Sequence, residues 1–315
     1  MAEMDRDLAA ISVLLIDPFP GTRKGTRVAL WNAGLRDIRE IDGMDRAALV
    51  EGGRSPDLVI VDASQDPQGA IALVRDIRRR KTEVDPFAGI LAAVFEPVRE
   101  TVIGAVRAGA DGILLKPASV EAVWGRVNGL MTGDRPWYVS ARYLGPDRNG
   151  LPETLRGKGI RIEDVPHPVR DRAEGRPPLP DDEAVQALWA RIEGHRGHMS
   201  AVEMVHLIAV ARAARGDGER RAASERLPEL YARISDLVGS IEDPSARLDA
   251  RMVADELRAR LAASEQPDVR LQALGKAQDL AIRLVQAALG AERSVAALAE
   301  ALKAIERTAP PPTSV

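Results

Sequence analysis

The stretch VRAGADGILLKP, residues 106–117, changes its period midway. Up to Ala108 the apolar positions continue a helical spacing that begins near residue 97, and the Ala108-Gly109 pair then marks a turn. Gly112–Lys116 (GILLK) follows as a short, unbroken apolar run that closes on Lys116-Pro117. Unbroken runs are the form expected of strands covered on both faces of a parallel sheet. Three more precede it: Ser12–Asp17 (SVLLID), Asp57–Asp62 (DLVIVD) and Gly89–Val94 (GILAAV), with Asp37–Ile41 (DIREI) as a weaker, more polar strand. Helical stretches near 21–33, 44–52, 67–80, 97–108 and 118–131 alternate with them. A β-α unit repeated five times predicts an α/β domain over residues 1–131, a doubly wound sheet of five parallel strands.

Beyond this domain the character changes. Residues 132–180 are punctuated by Gly and Pro and read as a linker, except for an aromatic-rich start around Trp137, Tyr138 and Tyr143. Those aromatics either cover an apolar edge of a neighbouring domain or form a partner-docking motif. Residues 181–308 are helical in period: Leu227, Leu230, Ile234, Leu237 and Ile241 step by three and four, as do Val295, Leu298, Leu302 and Ile305. Asp243-Pro244 and Gly290 interrupt the pattern, so four to six antiparallel helices packed as a bundle are expected, with a disordered tail at 309–315. Leu-Ala-rich faces also suit a homodimer, but a sustained heptad register is missing.

Composition excludes several classes of function. The 315 residues contain no Cys, which removes disulfides, thiolate metal sites and cysteine catalysis. The net charge is -3 and aromatics make up 3%, so neither a general attraction to phosphate backbones nor a base-stacking surface is expected. The one basic run, Arg78 to Lys81, reads as a solvated helix C-terminus. DNA binding is therefore not expected. No apolar run approaches membrane-spanning length and Glu3, Asp5 and Asp7 stand where a signal peptide would be basic, so a cytoplasmic location without membrane association is expected.

In an open parallel sheet, functional groups gather at the carboxyl ends of the strands. Those ends carry Asp17, Asp62 and Lys116, two carboxylates and an ammonium converging on one cleft. Such oxygen ligands suit Mg²⁺, a carboxylate can attack a phosphoryl group once a metal offsets the repulsion, and a lysine pairs with the resulting phosphate.

The stretches VLLID (13–17), PDLVIVD (56–62) and VRAGADGILLKP (106–117) together resemble the receiver domain of two-component response regulators. The resemblance implies a flavodoxin-like fold with Asp62 as phosphoacceptor and Lys116 as its phosphate-pairing partner. It also implies a Mg²⁺ site formed by Asp17, Asp62 and the backbone carbonyl of Ser64. The sequence departs from that pattern at several positions. Pro18 replaces a second acid, which weakens the metal site, and Val94 stands where the family has a hydroxyl that grasps the phosphate. Ile113 replaces a switch aromatic, and the loop Ser64–Gly69 is one residue short. Asp62 is thus either a phosphoacceptor or a structural acid ion-paired with Lys116. The stretch Tyr143–Arg148 (YLGPDR) also resembles a Tyr-x-Gly-Pro-Asp-Arg-Arg segment of alphaproteobacterial signalling proteins, with Asn149 in place of the second Arg.

The helical half carries no enzyme signature. His195 and His198 are three apart, but Gly194 and Gly197 argue for a loop there, and metal binding is not expected. His206 sits in an amphipathic helix without the sequence of a phosphotransfer site and reads as a partly buried structural residue. These features describe a signalling protein and not an enzyme: an atypical response regulator, receiving phosphate from a sensor histidine kinase or phosphotransfer protein, whose helical domain binds a protein partner. The alternatives are a phosphorylation-independent pseudo-receiver scaffold or dimerisation protein and, behind it, a transcriptional regulator lacking a recognisable basic helix.

Overall fold

The computed structural model describes residues 7–148, 157–176, 182–214, 216–241, 243–264 and 270–308. The tail at 309–315 and Asn149 lie outside them. The chain divides into two compact units, residues 1–188 and 189–315.

The first unit is built on strands β1 (Ser12–Ile16), β2 (Asp37–Ile41), β3 (Leu58–Asp62), β4 (Gly89–Val94) and β5 (Gly112–Leu115), all parallel in the order β2-β1-β3-β4-β5. This is the order of flavodoxin-like doubly wound sheets. Four helices cover it: α1 (Pro20–Asn32), α2 (Pro67–Arg78), α3 (Arg99–Ala108) and α4 (Val120–Thr132). The unbroken apolar runs follow from coverage of both faces. Val13, Leu15, Leu58, Ile60, Leu91 and Leu114 share one core with Leu30, Val123 and Val127 from α1 and α4. The alternate residues Leu14, Ile16, Val59, Val61, Ile90 and Val94 share another with Val74, Ile77 and Ala105 from α2 and α3. Each such buried aliphatic side chain contributes about 1.5–3 kcal/mol.

Three expectations are corrected here. The helix expected over 44–52 is a single 3-10 turn, Arg46–Ala48. Gly52 and Gly53 follow at φ +59 and +75, and the Arg39 guanidinium donates to the carbonyls of Ala48 and Leu49 at 2.5 Å each, ending the turn before an α-helix can nucleate. The segment 132–180 is not simply a linker: its described residues hold β6 (Trp137–Ser140), β7 (Leu144–Pro146) and β8 (Gly159–Ile162), an antiparallel sheet in the order β7-β6-β8, and the short helix α5 (Pro168–Ala173). Trp137 is buried with its ring 4.6 Å from that of Phe87, so this aromatic covers an apolar edge of the first domain. The basic run is not wholly solvated either. Arg78 is fully buried, its Nε donating to Gly109 O at 2.9 Å and one Nη to Ala88 O at 2.8 Å.

The second unit contains most of α6 (Asp182–Ala213), then α7 (Asp217–Ser224), α8 (Leu227–Gly239), α9 (Pro244–Ala263) and α10 (Arg270–Thr308). Asp243 caps α9 by accepting from Ala246 N at 2.6 Å, with Pro244 in the first turn, and Gly290 kinks α10 at φ 74 and ψ 174. Leu230, Ile234, Leu237 and Ile241 enter the core as their spacing predicts. After the kink the stripe moves by a position: Ser294, Ala297 and Ala301 are buried, whereas Val295 is 68% exposed. Gly194 and Gly197 lie inside α6, not in a loop. A Cβ on Gly197 would stand 3.3 Å from both Leu289 and Ser240 Oγ, so that glycine serves close helix packing.

Candidate functional site

Three strands of the main sheet deliver one side chain each to the carboxyl end. Asp17 follows β1, and its amide still donates to Ile41 O at 3.1 Å, which holds it in the register of the sheet. Asp62 ends β3. Lys116 follows β5, its amide donating to Val94 O at 2.8 Å. The side chains meet. Lys116 Nζ donates to Asp17 Oδ2 at 3.2 Å and also to Asp62 Oδ2, and all three groups are buried.

The carboxylates are further held by their own loops. Asp17 Oδ1 accepts from Phe19 N at 2.8 Å and Oδ2 from Thr22 Oγ1 at 2.8 Å, and Arg23 donates to the Asp17 carbonyl at 2.5 Å. Asp62 Oδ1 accepts from the amides of Ser64 at 2.9 Å and Gln65 at 3.3 Å. Every carboxylate oxygen therefore has a donor from the chain itself, and one lysine joins two acids that would otherwise repel at close range. Ser64 Oγ accepts from Phe95 N at 3.3 Å, tying the loop after β3 to the loop after β4. The Phe95 ring stands over Lys116, its centroid 4.3 Å from Nζ, within cation–π range.

Of the residues singled out in the sequence, the structure brings Asp17, Asp62 and Lys116 into contact and sets the Ser64 amide, not its carbonyl, against Asp62. Thr22, Arg23 and Phe95 were missed. Thr22 and Arg23 sit in the first turn of α1, behind a proline that reads only as a helix start, and an exposed phenylalanine in a loop carries no chemical signal.

The donor set can be compared with what Mg²⁺ prefers, namely several oxygens in near-octahedral order with water retained. Two carboxylates are present, Pro18 has no oxygen to offer from its side chain, and the Lys116 ammonium occupies the place between the acids. Among the described residues no group of three or more acids or histidines is arranged to hold a metal. The set as arranged fits the ion poorly. Val94, at the end of β4, is buried and offers no hydroxyl to the cleft.

In the helical unit His195 and His198 lie on α6, and a carboxylate distant in sequence reaches one of them: His198 Nε2 is 2.8 Å from Glu300 Oε2. His206 is half-buried in the same helix. Among the described residues no helix is long and apolar enough to cross a membrane.

No family model matches the chain, and no curated protein matches it. Solved structures do match its N-terminal part. A response regulator from Thermotoga maritima is 22% identical over 39% of this chain and 98% of its own, with a TM-score of 0.34. A response regulator receiver protein from Pseudomonas putida is 24% identical over 38% and 95%, with a TM-score of 0.33. The receiver domain of a sensor histidine kinase from Pseudomonas aeruginosa, with a magnesium ion coordinated in its active-site cleft, is 18% identical over 38% and 94%, with a TM-score of 0.31.

Proposed function

We propose that this chain is an atypical response regulator of bacterial two-component signalling, with an N-terminal receiver module and a helical unit that binds a protein partner. The observation that carries the reading is the meeting of Lys116 Nζ with Asp17 and Asp62 at the ends of three parallel strands. A buried carboxylate beside a lysine at that place has the parts for accepting a phosphoryl group. An Asp62 oxygen attacks the phosphorus of a phosphohistidine, or of an acyl phosphate in the test below; the bond to the leaving imidazole or carboxylate breaks, and an aspartyl phosphate forms. Lys116 turns from Asp62 to the new phosphoryl oxygens. The phosphate would come from a sensor histidine kinase or a phosphotransfer protein. Were Mg²⁺ to bind, Asp17, Asp62 and the Ser64 carbonyl would hold it and it would supply positive charge against the incoming phosphate, although Pro18 leaves that donor set one acid short.

The ion-paired resting state makes labelling slow, because Lys116 must first release an acid it neutralises. Incubation of the full chain with acetyl phosphate and Mg²⁺, read by intact-mass spectrometry, should add one phosphate slowly to wild type and none to Asp62→Asn. Equal labelling of the variant would place the acceptor elsewhere. Absence of label from wild type would favour a second reading, a phosphorylation-independent pseudo-receiver used for docking or dimerisation. That reading draws support from Val94, which leaves a phosphate on Asp62 without a hydroxyl to pull the loop after β4 inward.

A further inference from the structure

At the opposite end of the sheet, where the strands begin, the chain concentrates guanidinium groups. Arg78 and Arg135 are both buried, and both lean on the single carboxylate of Asp111. Arg78 donates to its Oδ2 at 2.9 Å and Arg135 to its Oδ1, while the Ile90 amide adds a bond to Oδ2 at 2.6 Å. Arg148 donates to Ala110 O, but its Nε is buried with no hydrogen-bond partner. A cavity of about 270 Å³ opens here between α4 and the β7 segment, lined by Arg126, Arg135 and Arg148, with Asp111 and Asp147 as its acids. Asp147 is in turn 3.7 Å from Arg161.

Three guanidiniums line the cavity with two carboxylates, and both carboxylates are already engaged by arginines. Burial, with Arg78 and Arg148 nearby, drives Arg135 down to about 9, as expected where positive charge is undercompensated. The half-buried Arg148, one of the three guanidiniums, keeps an Nε without a partner, an arrangement that favours an anion there. We propose that this cavity is a binding site for a phosphate dianion, held by Arg126, Arg135 and Arg148. The surplus of positive charge suits a phosphate near neutral pH, and guanidinium forks match its oxygens. The volume admits inorganic phosphate or the phosphate group of a small phosphomonoester. The site lies at the other end of the sheet from Asp62 and does not depend on phosphorylation there.

The test is calorimetric titration of the full chain with inorganic phosphate at constant ionic strength, repeated with methyl phosphate and with acetate. Two variants report on the cavity without disturbing the core. Arg126 is exposed, so Arg126→Gln removes one charge; Gly129 is exposed on α4 with nothing within 4 Å of an added Cβ, so Gly129→Gln fills the opening. Phosphate should bind wild type and Asp62→Asn alike, and each cavity variant should weaken it about tenfold or more. Comparable binding of methyl phosphate identifies a phosphomonoester site, and its exclusion identifies inorganic phosphate. No binding up to about 10 mM, unchanged binding in both cavity variants, or acetate binding as tightly as phosphate would overturn the proposal.

Discussion

The guanidinium of Arg78, at the end of α2, and the carboxylate of Asp111, just before β5, meet at 2.9 Å with both side chains almost wholly out of water. Such a pair adds little over apolar packing, but removing one partner leaves a buried charge exposed to no compensating group. Asp111 also holds Arg135, the residue that leads the chain into β6. Asp111→Ala should therefore cost about 3–5 kcal/mol of unfolding free energy. It should also open the segment around Trp137 to proteolysis, whereas Asp111→Asn, which keeps an acceptor for one arginine, should cost less. Urea denaturation and limited proteolysis of the full chain read both.

Two glycines in the first unit predict effects of opposite sign. Gly109 ends α3 at φ +104, and a Cβ there would lie 2.7 Å from Leu144 O and 2.8 Å from Arg78 Cγ. Gly109→Ala should destabilise by about 1–3 kcal/mol, since the backbone is strained and β7 is pushed away. Gly25 lies inside α1 with nothing within 4 Å. Gly25→Ala should stabilise by about 0.5–1 kcal/mol. Thermal unfolding of the two variants beside wild type should move in opposite directions.

His167 should make stability fall in mild acid. Burial first, and then Arg170 and Arg135, push its imidazole from the ordinary 6.5 down to about 4. The folded protein therefore keeps it neutral where the unfolded chain takes up a proton. Its contribution is complete above about 6.5 and is lost as the pH falls from there towards 4. Asp85 acts the other way: burial raises it from 3.8 to about 6, so its neutral form favours the fold at low pH and that contribution is lost as the pH rises through 6. The two partly cancel in wild type. Relative to wild type, His167→Gln should gain stability as the pH is lowered from 6.5 to 4 and Asp85→Asn should gain as it is raised across the same range. Urea denaturation at a series of pH values separates them, and parallel curves for all three proteins would refute the assignment.

The main sheet was legible because burial on both faces leaves an unbroken apolar run, a signal carried within five or six residues. Asp17, Asp62 and Lys116 were legible for a related reason, since each directly terminates such a run. What escaped depends on specific side-chain and pairing contacts that residue periodicity does not carry. β7 contains Gly145 and Pro146, which locally read as breakers, and it persists because Tyr143 Oη donates to Pro146 O at 2.7 Å and the strand pairs with β6. Arg78 looked like the start of a solvated basic run because nothing near it in sequence reveals Asp111. The helix expected over 44–52 failed because Arg39, on another element, takes the carbonyls a further turn would need.

The antiparallel segment and α5 return the chain to where it began. Asp7 N donates to Ala173 O at 2.9 Å, and Arg172 Nε reaches Asp57 at 3.1 Å across 115 residues of sequence. On a translating ribosome this has a temporal meaning. At about 5–20 residues per second, Arg172 leaves the peptidyl-transferase centre roughly 6 to 23 s after Asp57. During that interval the five strands can pair, but the floor of the sheet stays uncapped, with Phe87 awaiting Trp137 and Asp57 awaiting its cation. The nascent chain thus passes through a stage in which the acid-and-lysine end is assembled while the far end is still an open apolar edge, a window in which a chaperone has something to hold.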